Sequence, residues 1–155
     1  MSERNMINNK KAEFLNLFYI VTFLVALFSN INMIAEAPVK RYNYVVTALF
    51  LVAKFRYCLS REKNRYSVWI NLATFLAAVF VLIFSDNIDN GFAYSLAMAL
   101  YVPVGVPYAP VLLLLLGSNN NKVLPMIIVL MHLVFLGVSV IISLIHKKKD
   151  INEFV

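Results

Sequence analysis

Apolar residues in this chain fall in long runs, at residues 14–35, 42–59, 68–84 and 123–145, with a fifth, interrupted run at 92–116. Each of the first four approaches the ~20 residues that a helix needs to cross a bilayer. The five runs occupy 105 of the 155 residues, so the connections and tails are too short to fold separately. The pattern predicts one membrane domain over residues 1–155: all-α, polytopic, with four transmembrane helices at the four long runs. No fixed-period repeat, heptad, linker of low complexity or glycine-rich phosphate loop is present.

The fifth run is 25 residues long and could itself cross, but Pro103, Gly105, Pro107 and Pro110 interrupt its middle. Each proline removes a backbone donor, and lipid offers no water to repair the loss. The segment is therefore predicted to be re-entrant or interfacial, with short helical arms at 92–101 and 111–116 and non-helical backbone covered by protein or water. The competing reading is a proline-kinked full crossing whose freed carbonyls are satisfied by neighbouring helices. Asn30 and Asn32, at the end of the first run, are candidates for satisfying those groups, for lining a small polar cavity, or for capping at the interface.

Charge sets the orientation. Of 14 basic residues, 11 fall on one side if the fifth run does not cross: Arg4, Lys10, Lys11, Lys54, Arg56, Arg61, Lys63, Arg65, Lys147, Lys148 and Lys149. Lys40, Arg41 and Lys122 fall on the other. The positive-inside rule then places both termini and the 54–65 connection in the cytoplasm. Lys54 and Arg56 are expected to lay their stems along the second helix while their charges reach the headgroups. Trp69, Tyr42, Tyr44 and Tyr66, near run ends, suit an aromatic belt. Lys10 and Lys11 before an apolar run ending in Ala35-Glu36-Ala37 resemble a signal peptide, but the run is longer than a usual signal core and Pro38 follows, so a retained helix is expected.

Composition agrees: 61% of residues are hydrophobic, mean hydropathy is +0.76 and the formal net charge is +6. Such a chain is not an ordinary soluble domain. Cys58 is the only cysteine, which excludes an intrachain disulfide.

Candidate chemistry is sparse. There is no His-Glu-x-x-His, paired-cysteine or G-x-S-x-G motif, so neither an enzyme nor a metal or other cofactor is expected. His132 stands about ten residues from either end of the last run, as the ionisable residue deepest in an apolar stretch, and such a group is a functional candidate by default. Its bland role is a neutral imidazole bonded across to Asn71, Thr74 or Thr47, because no second titratable group is evident at its depth. Glu36, Asp86 and Asp89 would share the outer face, where carboxylates either sit solvated or draw cations toward a pore mouth. Alanine pairs at 73/77 and 93/97 and the serine pair at 139/143 mark close helix packing.

The basic elements (Lys54, Arg56, Arg61, Lys63, Arg65, Lys147, Lys148, Lys149) are candidates for docking anionic lipid or a cytosolic protein; direct nucleic-acid binding is not expected from such short turns. Size and absent chemistry together suggest a non-enzymatic, homo-oligomeric membrane subunit that senses a membrane event and signals to a cytosolic partner. The alternative is a small ion channel or transporter in which Pro103, Gly105, Pro107 and Pro110 form a re-entrant pore element. A membrane-disrupting effector is a third possibility. In its length, its four long runs and its basic elements at 54–65 and 147–149, the chain resembles the small four-helix membrane subunits of bacterial antiphage defence, the Kiwa membrane proteins among them. The resemblance implies an inner-membrane oligomer that senses phage attack and works with a cytosolic DNA-binding partner.

Overall fold

The computed structural model describes residues 3–32, 38–60, 64–84, 91–116 and 123–152. All the elements are helical: α1 (Glu3–Asn30), α2 (Arg41–Leu59), α3 (Asn64–Phe84), α4 (Gly91–Gly105), a 3-10 turn (Val106–Tyr108), α5 (Ala109–Leu116) and α6 (Val123–Asn152). The protein is an all-α integral membrane protein. Large apolar side chains such as Phe14, Phe28, Trp69, Phe92 and Leu130 point outward, which is the arrangement lipid requires. The core gathers Ala26, Phe50, Ala78, Val81, Val104, Tyr108, Leu112 and Ile128 from α1, α2, α3, the bent segment and α6.

Helix directions follow from a few contacts. Tyr19 stacks on Tyr57 at 4.8 Å while Asn43, at the start of α2, bonds Ser29 and Asn30, at the end of α1, so these two helices are antiparallel. Only four residues separate α2 from α3, which turns the chain back again. α6 runs parallel to α2: Lys54 lies 4.7 Å over the Phe135 ring, and one turn further along both helices Cys58 and Ser139 share the amide of Asn71. α6 therefore opposes α3, its most extensive neighbour. Lys11, Arg56 and Lys147 come to one end of the bundle, and Asn30, Arg41, Phe84 and Val123 to the other.

The proline-rich segment departs from expectation in one respect and keeps to it in another. Instead of two short arms around non-helical backbone, it is helical from Gly91 to Leu116, with the 3-10 turn in the middle and Gly105 at φ −108°, ψ −48°. Tightening to 3-10 bonding lets the chain absorb Pro107 without an open loop. A straight passage is nevertheless excluded by reach. Ser67 bonds Ser139 at 3.0 Å, so Phe84 and Val123, seventeen and sixteen residues away in opposed helices, stand at nearly the same level. The six-residue intervals on either side of the segment span at most ~25 Å, whereas a straight 26-residue helix would be ~39 Å long. Since α4 lies along α3 and buries Ala93 and Ala97, the segment must bend so that both its ends stay tethered to the Phe84 end.

Among the described residues, four helices are long and apolar enough to cross a membrane: Lys10–Asn30, Tyr66–Phe84, Gly91–Leu114 and Val123–Lys147. Three coincide with the expected crossings. The expected crossing at 42–59 is not among them, because Asn43, Thr47, Lys54 and Arg56 lower the hydropathy of α2, yet α2 still runs from one end of the bundle to the other; the bent segment qualifies by length and composition although both its ends lie at the Phe84 end. The buried positions of α2 are Asn43, Thr47, Phe50, Ala53, Lys54, Tyr57 and Cys58, a stripe at three- and four-residue spacing that turns the polar residues inward.

In a Cys58→Ser background, single cysteines at Arg41 and Phe92 are expected to react with an impermeant maleimide from one side of the membrane, and those at Lys11 and Lys147 from the other. Labelling of Phe92 together with Lys147 would overturn this arrangement.

A buried polar centre between the bent segment and the bundle

The bent segment is held through its own carbonyl oxygens. His132, midway along α6, donates from Nε2 to the Val104 carbonyl at 3.0 Å. Asn30, at the end of α1, donates from Nδ2 to the Pro107 carbonyl at 3.4 Å and to Thr47 Oγ1 at 3.0 Å. Both carbonyls lie in the stretch that prolines and the 3-10 turn disturb, where acceptors are left over in the middle of an apolar bundle. Pro107 and Pro110 are buried, whereas Pro103 faces outward. Gly105 is buried too, and a Cβ there would stand 2.5 Å from the Tyr101 ring.

Three polar layers stack along the inside of the helices. At the first, Asn43 accepts the Lys40 backbone N–H on Oδ1 (2.8 Å) and donates from Nδ2 to the Ser29 carbonyl (2.8 Å) and Asn30 Oδ1 (2.9 Å). One side chain thus caps α2 and satisfies an orphan carbonyl at the end of α1. At the layer toward the basic end, Asn71 Nδ2 donates to Ser139 Oγ (2.8 Å) and shares its second hydrogen between Cys58 Sγ and Ser67 Oγ (both 3.3 Å), its Oδ1 is buried without a partner, and Ser139 donates to the Phe135 carbonyl at 2.9 Å.

Between them lies the layer that matters most. Lys54 Nζ donates to the Tyr108 hydroxyl at 2.6 Å, and the residue is only 2% exposed. Its ammonium sits 4.7 Å over the Phe135 ring and 5.4 Å over that of Tyr108, within range of the attraction between a cation and an aromatic face. Tyr108 meets the His132 ring edge-on at 5.4 Å and packs against Phe50 at 5.3 Å. Among the described residues no carboxylate enters the surroundings of Lys54. A lysine, a tyrosine and a histidine from α2, the 3-10 turn and α6 thus meet inside the bundle.

Several expectations are corrected here. Lys54 does not reach the headgroups; it lies on the buried stripe of α2, while Arg56, two positions on, points outward as expected. His132 has a second titratable neighbour after all, and its partner is a backbone carbonyl rather than Asn71, Thr74 or Thr47. Asn71 bonds Cys58 and the serines, Thr74 bonds back to the Asn71 carbonyl in its own helix, and Thr47 accepts from Asn30. Lys147 is exposed at the basic end. Arg61, Lys63, Glu36, Asp86 and Asp89 lie outside the described residues, as do the side chains of Arg65, Lys148 and Lys149. Tyr108, which reach alone makes central, carried no sequence signal beyond its place beside Pro107. Among the described residues no cluster of three His, Cys, Asp or Glu could hold a metal ion.

No family model, no curated protein and no solved structure matches the chain.

Tyr108→Phe leaves the Lys54 ammonium without its hydroxyl acceptor and is expected to cost about 1.5–3 kcal/mol in detergent unfolding, the usual range for a hydrogen bond to a charged group. The same substitution in a Lys54→Met background should cost far less, and equal costs in both would sever the pair. His132→Leu strands the Val104 carbonyl and should lower stability by about 1–3 kcal/mol, with His132→Gln, which keeps a donor, recovering part of the loss. Gly105→Ala should lower the melting temperature by displacing Tyr101, whereas Gly91→Ala and Gly137→Ala, where an added Cβ meets nothing, should leave it unchanged.

Proposed function

We propose that the protein is a non-enzymatic, homo-oligomeric membrane subunit that responds to a membrane event and signals to a cytosolic protein through its basic end. The observation that carries this reading is the gathering of exposed Lys10, Lys11, Arg56 and Lys147, from three helices, at one end of the bundle. By the positive-inside rule that end is cytoplasmic, together with both termini. The resemblance to antiphage membrane subunits supports a bacterial inner-membrane setting and a role in defence against phage. The bent segment suits a sensing role: it is held in the core by side-chain bonds from α1, α2 and α6, so a change in helix spacing acts on it directly.

A second reading, a small ion channel or transporter, is supported by a different observation, the stacking of three polar layers through the interior beside a proline-bent element.

The two part company in experiment. On the first reading the chain alone in proteoliposomes passes no ions, and Arg56→Gln with Lys147→Gln abolishes protection of cells against phage while the oligomer persists. Undiminished protection would sink that reading. Ion flux from the chain alone, lost in Gly105→Leu, would establish the second.

A further inference from the structure

We propose that the Lys54–Tyr108 pair, flanked by His132, binds a small monovalent anion of halide size inside the bundle. Donors and acceptors around the pair do not balance. The Lys54 ammonium has three N–H groups, of which the Tyr108 hydroxyl oxygen takes one; its other close neighbours are the faces of the Phe135 and Tyr108 rings. The hydroxyl hydrogen of Tyr108 has no acceptor among the described residues. Against these unspent donors stand two buried, unpartnered acceptors: His132 Nδ1, whose Nε2–H is committed to the Val104 carbonyl, and Asn71 Oδ1 in the neighbouring layer.

Charge is out of balance in the same direction. An amine held away from water keeps its proton only where a counter-charge favours the ammonium, and none of the described carboxylates supplies one. One monovalent anion beside Nζ corrects both deficits, accepting the spare N–H groups and the tyrosine O–H together. The enclosure limits its size: Lys54, Tyr108 and His132 are each at most 2% exposed, and the surrounding groups are aromatic and aliphatic. A chloride or bromide ion fits this chemistry better than a phosphate, which would bring more oxygen atoms than the site has donors. The flexible stem of Lys54 lets the ammonium move off the ring faces to meet the ion. This site does not depend on the basic end having a partner, so it stands or falls apart from the function proposed above.

The test uses the full chain in mild detergent, with thermal unfolding followed as sodium bromide replaces sodium gluconate at fixed ionic strength. The melting temperature is expected to rise saturably with bromide, and sulfate at equal ionic strength to give no such rise. Tyr108→Phe, which keeps the ring, should weaken the apparent bromide affinity by about tenfold or more, the loss of one hydrogen bond to a charged group. Lys54→Met should abolish the dependence in a protein that still folds. A wild-type melting temperature indifferent to bromide, an equal response to sulfate, or an undiminished bromide response in Lys54→Met or Tyr108→Phe would each overturn the site.

Discussion

The structure depends on satisfying the backbone of a proline-bent helix in a medium without water. Every polar group of the main chain inside a bilayer needs a protein partner, and the segment from Gly91 to Leu116 breaks that rule by its own composition. The bundle answers with side chains: His132 on the Val104 carbonyl and Asn30 on the Pro107 carbonyl. Both donors come from helices far away in the chain, so the bent segment and the helices that hold it specify one another. Asn43 and Thr47 then hold Asn30 in place, which extends the constraint to the junction between α1 and α2.

Lys54 belongs to the same arrangement. Polar groups that serve the bent segment must lie on the inward stripe of α2, and the spacing that brings Asn43 and Thr47 inside also brings Lys54 inside. Its burial beside Tyr108 is costly unless the charge is met, and the ring faces of Phe135 and Tyr108 together with the hydroxyl meet part of it. An intramembrane ionisable group buried at such a cost is a candidate functional centre. Its position, between a bent element and two helices that end at the basic side, connects the core of the molecule with the surface offered to the cytoplasm in the proposed reading.

Much of this was open to reading in the chain. The reversal at the polar ends of runs, the all-helical membrane architecture and the tethering of the proline-rich segment follow from run length, charge and the chemistry of proline, whereas for Asn30 the sequence left three roles open and the structure selects the bond to the Pro107 carbonyl. The helicity of the segment did not, because whether prolines open a loop or only tighten a helix depends on what donors surround them. The inward turn of Lys54 had a signal: it lies seven residues beyond Thr47 and eleven beyond Asn43, on one helical stripe, and Arg56 does not. The nearness of Lys54 to the end of α2 and to the exposed Arg56 masks that position on the face.

By itself the sequence determined that the chain is all-α and membrane-embedded, where its long apolar runs lie and which of their ends carry positive charge, since these follow from local composition and from the thickness of a bilayer. Only the tertiary structure decided which donor meets which carbonyl and that Lys54, Tyr108 and His132 share one site. Those pairings depend on the relative rotation and register of segments 28 to 77 residues apart, which the packing of whole helices settles and no local pattern encodes.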